Sequence, residues 1–251
     1  MVASVMPGAE PASYPGGPGG VLVLHGFTGN PQSMRGLAEA LAAAGHAVEL
    51  PLLPGHGTAI EDMVPTRWAD WSGAAEAAYA QLAERCPRVA VAGLSMGGTL
   101  ATWLAARHPE VAALVAVNAA VEAPADSFVE MLDQVLESGT EIMPAIGSDI
   151  AAPGVVESAY PGSPVAPMIS LIRAVRDLQP LLEDVRCPVL IFTSLQDHVV
   201  PPTAGDVLAA CVAGPVERVR LKRSYHVATL DHDRAEIEAR TVDFLAKALA
   251  G

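Results

Sequence analysis

Short apolar runs recur along the chain, and most are followed by a longer stretch whose apolar positions fall three and four apart. The runs at 21–24, 89–92, 113–117 and 188–193 are of the unbroken kind expected of strands buried on both faces. Residues 46–50 and 216–221 read as further strands. Helical periods occupy 31–44, 66–85, 96–107, 202–212 and 233–249. Asn30 can cap the first of these, Pro31 suits its first turn, and Gly45 ends it. Strand and helix in alternation predict an α/β fold, a mostly parallel sheet flanked by helices. The alternation fails between 119 and 186, where helical periods at 128–137 and 167–178 are separated by Pro and Gly. The predicted organisation is a core of 20–118 and 187–251, a small inserted cap at 119–186, and a loose lead at 1–19. The lead carries Pro7, Pro11, Pro15 and Pro18 among several glycines.

Composition narrows the function classes. The 251 residues are 51% hydrophobic, enough for a sizeable single core, and 28 acidic against 15 basic side chains leave a formal net charge of −13. That balance argues against nucleic acid as a partner and equally against docking on an anionic lipid surface. The longest apolar stretch, 111–121, is interrupted by Asn118 and falls short of the ~20 residues that a spanning helix needs. The lead has neither a basic start nor an apolar run, so a cytoplasmic protein is expected. Cys86, Cys187 and Cys211 are odd in number and far apart, which suits buried free thiols rather than a disulfide framework or a zinc site.

Gly93-Leu94-Ser95-Met96-Gly97 fits G-x-S-x-G and lies between a buried strand and an alanine-rich helix. A serine on so sharp a turn needs flanking residues without side chains, because the neighbouring strand and helix approach closely there. The turn would lift the Ser95 hydroxyl to the C-terminal edge of the sheet, at the positive end of the following helix. A hydroxyl is a poor nucleophile alone, so a histidine and an orienting carboxylate are required, in the chain order serine, acid, histidine.

Of seven histidines, His25, His46 and His56 precede the serine and His108 ends the helix after it. His198 sits beside the best acid and leaves no chain in which to turn back. His226 falls in a loop that opens at the same sheet edge, whereas His232 adjoins the last helix, so His226 is the expected base. Asp197 follows the strand at 188–193 and is the expected acid. Asp184 precedes that strand, Asp206 belongs to a helix, and Asp231 is expected to cap the last helix. The backbone amides of Phe27 and Met96 are candidates for an oxyanion hole. The side chains of both could line an acyl pocket or be plain core. His25 is expected to brace its loop as a neutral ring.

The segments His25-Gly-Phe-Thr-Gly29, Pro54-Gly-His-Gly57, Gly93-Leu-Ser-Met-Gly-Gly98, Asp197-His-Val-Val-Pro-Pro202 and Ser224-Tyr-His-Val-Ala-Thr-Leu-Asp231 resemble those of the bacterial monoacylglycerol lipases. These are relatives of the small carboxylesterases of the α/β-hydrolase fold. The resemblance runs from the first strand to the last helix. It implies Ser95, Asp197 and His226 as a triad, Phe27 and Met96 as oxyanion donors, and neither metal nor organic cofactor. In the cap, Ile146-Gly-Ser-Asp149 and Glu157-Ser-Ala-Tyr160 are similar to the segment where such lipases form an acyl tunnel and meet glycerol. By that likeness Ile146 would line the tunnel and Glu157 would bind glycerol hydroxyls, the alternative for Glu157 being a solvated carboxylate. Met131, Leu132, Val135, Ile142, Met143 and Ile146 are candidates for the apolar wall, or for packing the cap onto the core.

The expected activity is hydrolysis of a small lipid ester, most simply a monoacylglycerol, through an acyl-enzyme. A broad carboxylesterase, thioesterase or acyltransferase would use the same triad. A binding protein that kept the fold and lost the chemistry would lack a triad member, and the chain carries all three in order. An aspartate nucleophile is excluded by Ser95.

Overall fold

The computed structural model describes residues 4–250. Nine strands and eight α-helices follow one another: β1 (Ala12–Tyr14), β2 (Gly19–Leu24), α1 (Arg35–Ala43), β3 (Ala47–Leu50), α2 (Ile60–Met63), α3 (Trp68–Ala83), β4 (Arg88–Leu94), α4 (Met96–Arg107), β5 (Leu114–Val117), α5 (Asp126–Glu137), β6 (Ile142–Pro144), β7 (Gly162–Pro164), α6 (Val165–Leu178), β8 (Val189–Ser194), α7 (Thr203–Cys211), β9 (Val216–Leu221) and α8 (Arg234–Leu249). Seven strands form one sheet in the order β1-β3-β2-β4-β5-β8-β9, parallel except for β1. β6 and β7 make a separate antiparallel ribbon.

The unbroken apolar runs follow from burial on both faces of this sheet. Leu22, Leu24, Val91, Leu114 and Ile191 point to the layer of α3 and α4. Val21, Val23, Ala92, Val115 and Phe192 point to the layer of α1 and α8. Side chains alternate across the pleat, so each run feeds two cores at once. Between β5 and β8, α5 and α6 share a third, small cluster made of Val129, Leu132, Val165, Ile169 and Ile172. The ribbon and a 3-10 turn (Gln179–Asp184) complete this segment.

Several expectations need correction. The stretch expected to be a loose lead is structured in its described part, while residues 1–3 of it lie outside the described residues. β1 pairs with β3, Met6 N–H donates to the Gly57 carbonyl at 2.7 Å, and Arg35 donates to the Gly8 carbonyl at 3.2 Å. The physical reason is the edge of β3, whose free backbone groups are satisfied by even a short antiparallel partner. Three residues amid prolines carry no legible strand pattern. The first helical period divides into a 3-10 turn (Pro31–Ser33), capped by the Asn30 side chain on Gln32 N–H at 3.0 Å, and α1. Asp231 does not cap α8. That position belongs to Asp233, and the Asp231 carboxylate accepts instead from the amides of Ala151, Ala152, Tyr225 and His232. Among the cysteines, Cys86 and Cys187 are buried but Cys211, at the end of α7, is exposed.

Phe192 is fully buried in the middle of β8, the strand that leads to the loop of Asp197. Phe192→Ala should lower the unfolding free energy by about 3–5 kcal/mol in urea titration. The exposed Val155→Ala should stay within about 0.5 kcal/mol of wild type.

Candidate active site

Ser95 occupies the bend between β4 and α4 with φ of 55° and ψ of −120°, a conformation that L-residues avoid. The flanking glycines show why it is tolerated. A Cβ on Gly93 would overlap the Gly97 carbonyl, and one on Gly97 would overlap the Leu24 carbonyl. A Cβ on Gly98 would press on Ala119. The bend is therefore wedged between β2 and the residues that follow β5. Ser95 itself is partly exposed on the wall of a cavity of about 710 Å³.

Asp197 and His226 stand on the loops after β8 and β9, at the same sheet edge. Asp197 Oδ2 lies 2.8 Å from His226 Nδ1, and both side chains are more than nine-tenths buried. The other carboxylate oxygen, Oδ1, accepts from the amides of Val199 and Val200, each at 2.8 Å, which closes the loop around the acid. A carboxylate can only accept from the ring, so Nδ1 carries the proton and Nε2 keeps its lone pair. His226 lines the same cavity as Ser95; the two share that wall without a hydrogen bond between them. Such contacts often close only when substrate is bound.

The main chain of His226 is clamped at both ends. Its N–H donates to Asp149 Oδ2 at 3.0 Å, and its carbonyl accepts from Asn118 Nδ2 at 2.7 Å. Asn118 follows β5 in the left-handed region, with φ of 44°, which Asn tolerates better than most residues. Its Oδ1 also accepts from Ser194 N–H at 2.7 Å, so one amide side chain ties β5, β8 and the histidine loop.

The loop after β2 supplies the opposite wall. Phe27 lines the cavity and packs edge-on against Trp71, with ring centroids 5.8 Å apart. The Met96 side chain is buried in the core, while its amide begins α4, where no partner within the helix is available. Gly26 faces the serine, since a Cβ there would sit 3.4 Å from Ser95 Cβ. His25 is fully buried; its Nε2 accepts from Leu53 N–H at 3.1 Å, so Nδ1 is the nitrogen that donates to the Gly26 carbonyl, at 3.0 Å. Burial, aided by the neighbouring His56, pulls its pKa down to about 3. It is thus a neutral brace. Burial likewise pulls His56 down to about 4, against bonds to the Pro54 and Leu53 carbonyls.

The segment between β5 and β8 roofs the cavity. Leu132, Met143 and Ile146 line it, but Met131, Val135 and Ile142 do not. Ile146 is also 68% exposed, so it stands at the opening. Met168, Leu171, Ile172 and Val175 of α6 form a further wall, one not among the residues expected from sequence. Their spacing of three, one and three places them on a single helix face, and that spacing was visible. Glu157 is partly buried against the loop after β2, where a Cβ on Gly29 would meet its Oε1 at 2.7 Å. Burial raises the Glu157 pKa, while His226 and the Ser33 hydroxyl pull it the other way. Its neighbours are pinned as well, with Tyr160 N–H on the Thr28 carbonyl at 3.0 Å and Ser158 N–H on Gln32 Oε1 at 3.0 Å. Among the described residues, no group of three or more metal-binding side chains converges, and no helix is long and apolar enough to cross a membrane.

The two depressed histidines carry a stability consequence. Each protonates in the unfolded chain near pH 6.5 but resists protonation when folded, so stability falls as pH drops below that value. His56→Asn keeps a donor for the Pro54 carbonyl without a titrating ring. The loss of unfolding free energy between pH 7 and pH 5 should be smaller in this variant by roughly 1–2 kcal/mol. An unchanged pH dependence in urea titrations would contradict the assignment.

A family model for the alpha/beta hydrolase fold matches residues 20–145. A thermostable monoacylglycerol lipase from Bacillus sp. (strain H-257) is 45% identical over 247 residues, covering 97% of this chain and 96% of the relative. A carboxylesterase from Bacillus subtilis (strain 168) is 27% identical over 247 residues, covering 95% and 96%. Among solved structures, a metagenome-derived lipolytic enzyme superposes with a TM-score of 0.93 at 43% identity, covering 97% of this chain and 100% of that one. A monoacylglycerol lipase from Paleococcus ferrophilus shares the fold with a TM-score of 0.80 at 18% identity, covering 95% and 98%. The match to the family model, together with full-length identity at this level, makes the chain a member of the α/β-hydrolase fold family, on the branch of its bacterial monoacylglycerol lipases and esterases.

Proposed function

We propose that this protein hydrolyses carboxylic esters through an acyl-enzyme on Ser95, with monoacylglycerols as its preferred substrates. The observation that carries the proposal is the buried 2.8 Å bond between Asp197 and His226, made on the wall of the apolar cavity that also holds the strained Ser95. Asp197 holds the Nδ1–H tautomer, so Nε2 is free to take the Ser95 proton as the hydroxyl oxygen attacks the ester carbonyl. The imidazolium that forms is stabilised by the carboxylate. The amides of Phe27 and Met96 receive the tetrahedral oxyanion, aided by the N-terminus of α4. His226 then returns the proton to the leaving alkoxide, and a water deprotonated by the same ring releases the fatty acid.

Specificity in this proposal comes from the roof. Leu132, Met143 and the α6 face suit an acyl chain, with Ile146 at the opening. Glu157 is the polar group of the opposite kind, a carboxylate able to accept from glycerol hydroxyls. The 45% identical lipase favours monoacylglycerol as the substrate. The carboxylesterase relative supports a broader reading, in which Glu157 has no glycerol to bind. A cytoplasmic setting belongs to the same proposal, and the unpaired cysteines among the described residues support it.

A hydrolysis panel of mono-, di- and triacylglycerols beside nitrophenyl esters tests the reading. Monoacylglycerols should be turned over fastest, and Ser95→Ala should lower kcat by several orders of magnitude with an unchanged circular dichroism spectrum. Triacylglycerol turnover equal to that of monoacylglycerols would contradict the narrow specificity. Glu157→Ala should reduce monoacylglycerol turnover more than nitrophenyl ester turnover. An equal loss on both would remove Glu157 from the glycerol site.

A further inference from the structure

The proposed mechanism needs Asp197 and His226 in register, yet they stand on two separate loops, and neither loop is rigid by its own secondary structure. A third segment joins them. Asp149, from the stretch between β5 and β8, is more than nine-tenths buried. Its Oδ2 accepts from the His226 amide at 3.0 Å and from the His198 amide at 3.2 Å, and its Oδ1 lies 2.8 Å from His198 Nδ1. The Asp149 carbonyl accepts from Val227 N–H at 3.1 Å. One carboxylate therefore grips the base residue itself and the residue next to the acid.

The attachment is reciprocal. Asp231, on the far side of the histidine loop, accepts from the amides of Ala151 and Ala152 at 2.8 and 2.9 Å and from Tyr225 N–H at 2.8 Å. The strap 148–152 and the loop 225–231 are thus laced together by two buried carboxylates, each supplied by one side. Burying a carboxylate is costly unless its oxygens are satisfied. Salt bridges to Lys or Arg do not compensate Asp149: among the described residues its one ionisable partner is His198. What compensates it is the pair of amides on Oδ2 that set the loop spacing, together with His198 Nδ1 on Oδ1. A displacement of about 1 Å at a reacting group can cost ~10²-fold in rate.

We infer that Asp149 is a positioning residue, which holds the acid-bearing and base-bearing loops in the register that the Asp197–His226 bond requires. The inference rests on the reaction proposed above. It also makes the roof more than a substrate wall: the strap that follows Ile146 and receives the Glu157 amide on Ser148 Oγ, at 3.0 Å, is the same strap that registers the two loops.

The test compares Asp149→Ala and Asp149→Asn in the full chain, with Ser95→Ala as the reference. Asparagine keeps an oxygen for the two amides; alanine removes it. Asp149→Ala should lower kcat on a monoacylglycerol by about 10–100-fold with KM within about threefold. Labelling of Ser95 by a fluorophosphonate should slow in parallel. The deshielded proton of the His226–Asp197 bond, seen by proton NMR, should broaden or vanish. Asp149→Asn should restore kcat to within about fivefold of wild type and restore that proton signal. If the alanine variant does not fold, Asp149→Ser, whose oxygen is too short to span both loops, carries the same expectation. A folded Asp149→Ala or Asp149→Ser with wild-type kcat and an undisturbed proton signal would overturn the inference. So would an Asp149→Asn variant as impaired as alanine. Full activity in Ser95→Ala would overturn the reaction itself, and is distinguishable because it is read in a variant that leaves Asp149 intact.

Discussion

The bond between His226 and Asp197 fixes which ring nitrogen carries the proton and leaves the other free, which is what the proposed base requires. Almost everything near the site can be understood as support for that one contact. Asp197 spends its second oxygen on the amides of its own loop. His226 has its amide on Asp149 and its carbonyl on Asn118, so four separate stretches of chain converge on a pair of side chains. None of these supports is a charged surface pair of the kind that salt would screen. The two on the His226 main chain are buried hydrogen bonds, costly to break because a lost partner leaves a polar group stranded away from water.

The serine is placed by a different kind of constraint, namely exclusion. The bend at Ser95 is held open by what is missing at Gly93 and Gly97, whose absent side chains let β2 and α4 close around it. Sterics fix the proposed nucleophile and hydrogen bonds fix the proposed base. These two mechanisms meet at the C-terminal edge of the sheet, because parallel strands deliver all their following loops to one side. The proposed chemistry is a consequence of that topology, with the roof between β5 and β8 added above it.

Much of this was legible from residue order. The unbroken apolar runs announce strands with two buried faces, and the structure divides each run between two cores. Gly93 and Gly97 around Ser95 carry their reason in their chemistry. Other features had no local signal. β1 is too short and too proline-flanked to be recognised, and exists because β3 offers an unpaired edge. Asp231 sits where a helix cap would be expected, yet its partners Ala151 and Ala152 lie some eighty positions earlier. Asp149 likewise acts through contacts with His198 and His226 that no sequence spacing encodes. The α6 stripe is a different case: its period was present, but a helical face alone does not say whether it meets a core or a cavity.

The proposed mechanism requires that Ser95 Oγ becomes the acylated atom. Intact-protein mass spectrometry after brief mixing with a nitrophenyl ester or a fluorophosphonate, followed by peptide mapping, addresses that directly. A single adduct on Ser95, absent from Ser95→Ala and strongly slowed in His226→Ala, is the predicted result. An adduct on any other residue, or steady ester turnover in Ser95→Ala with no adduct at all, would contradict it.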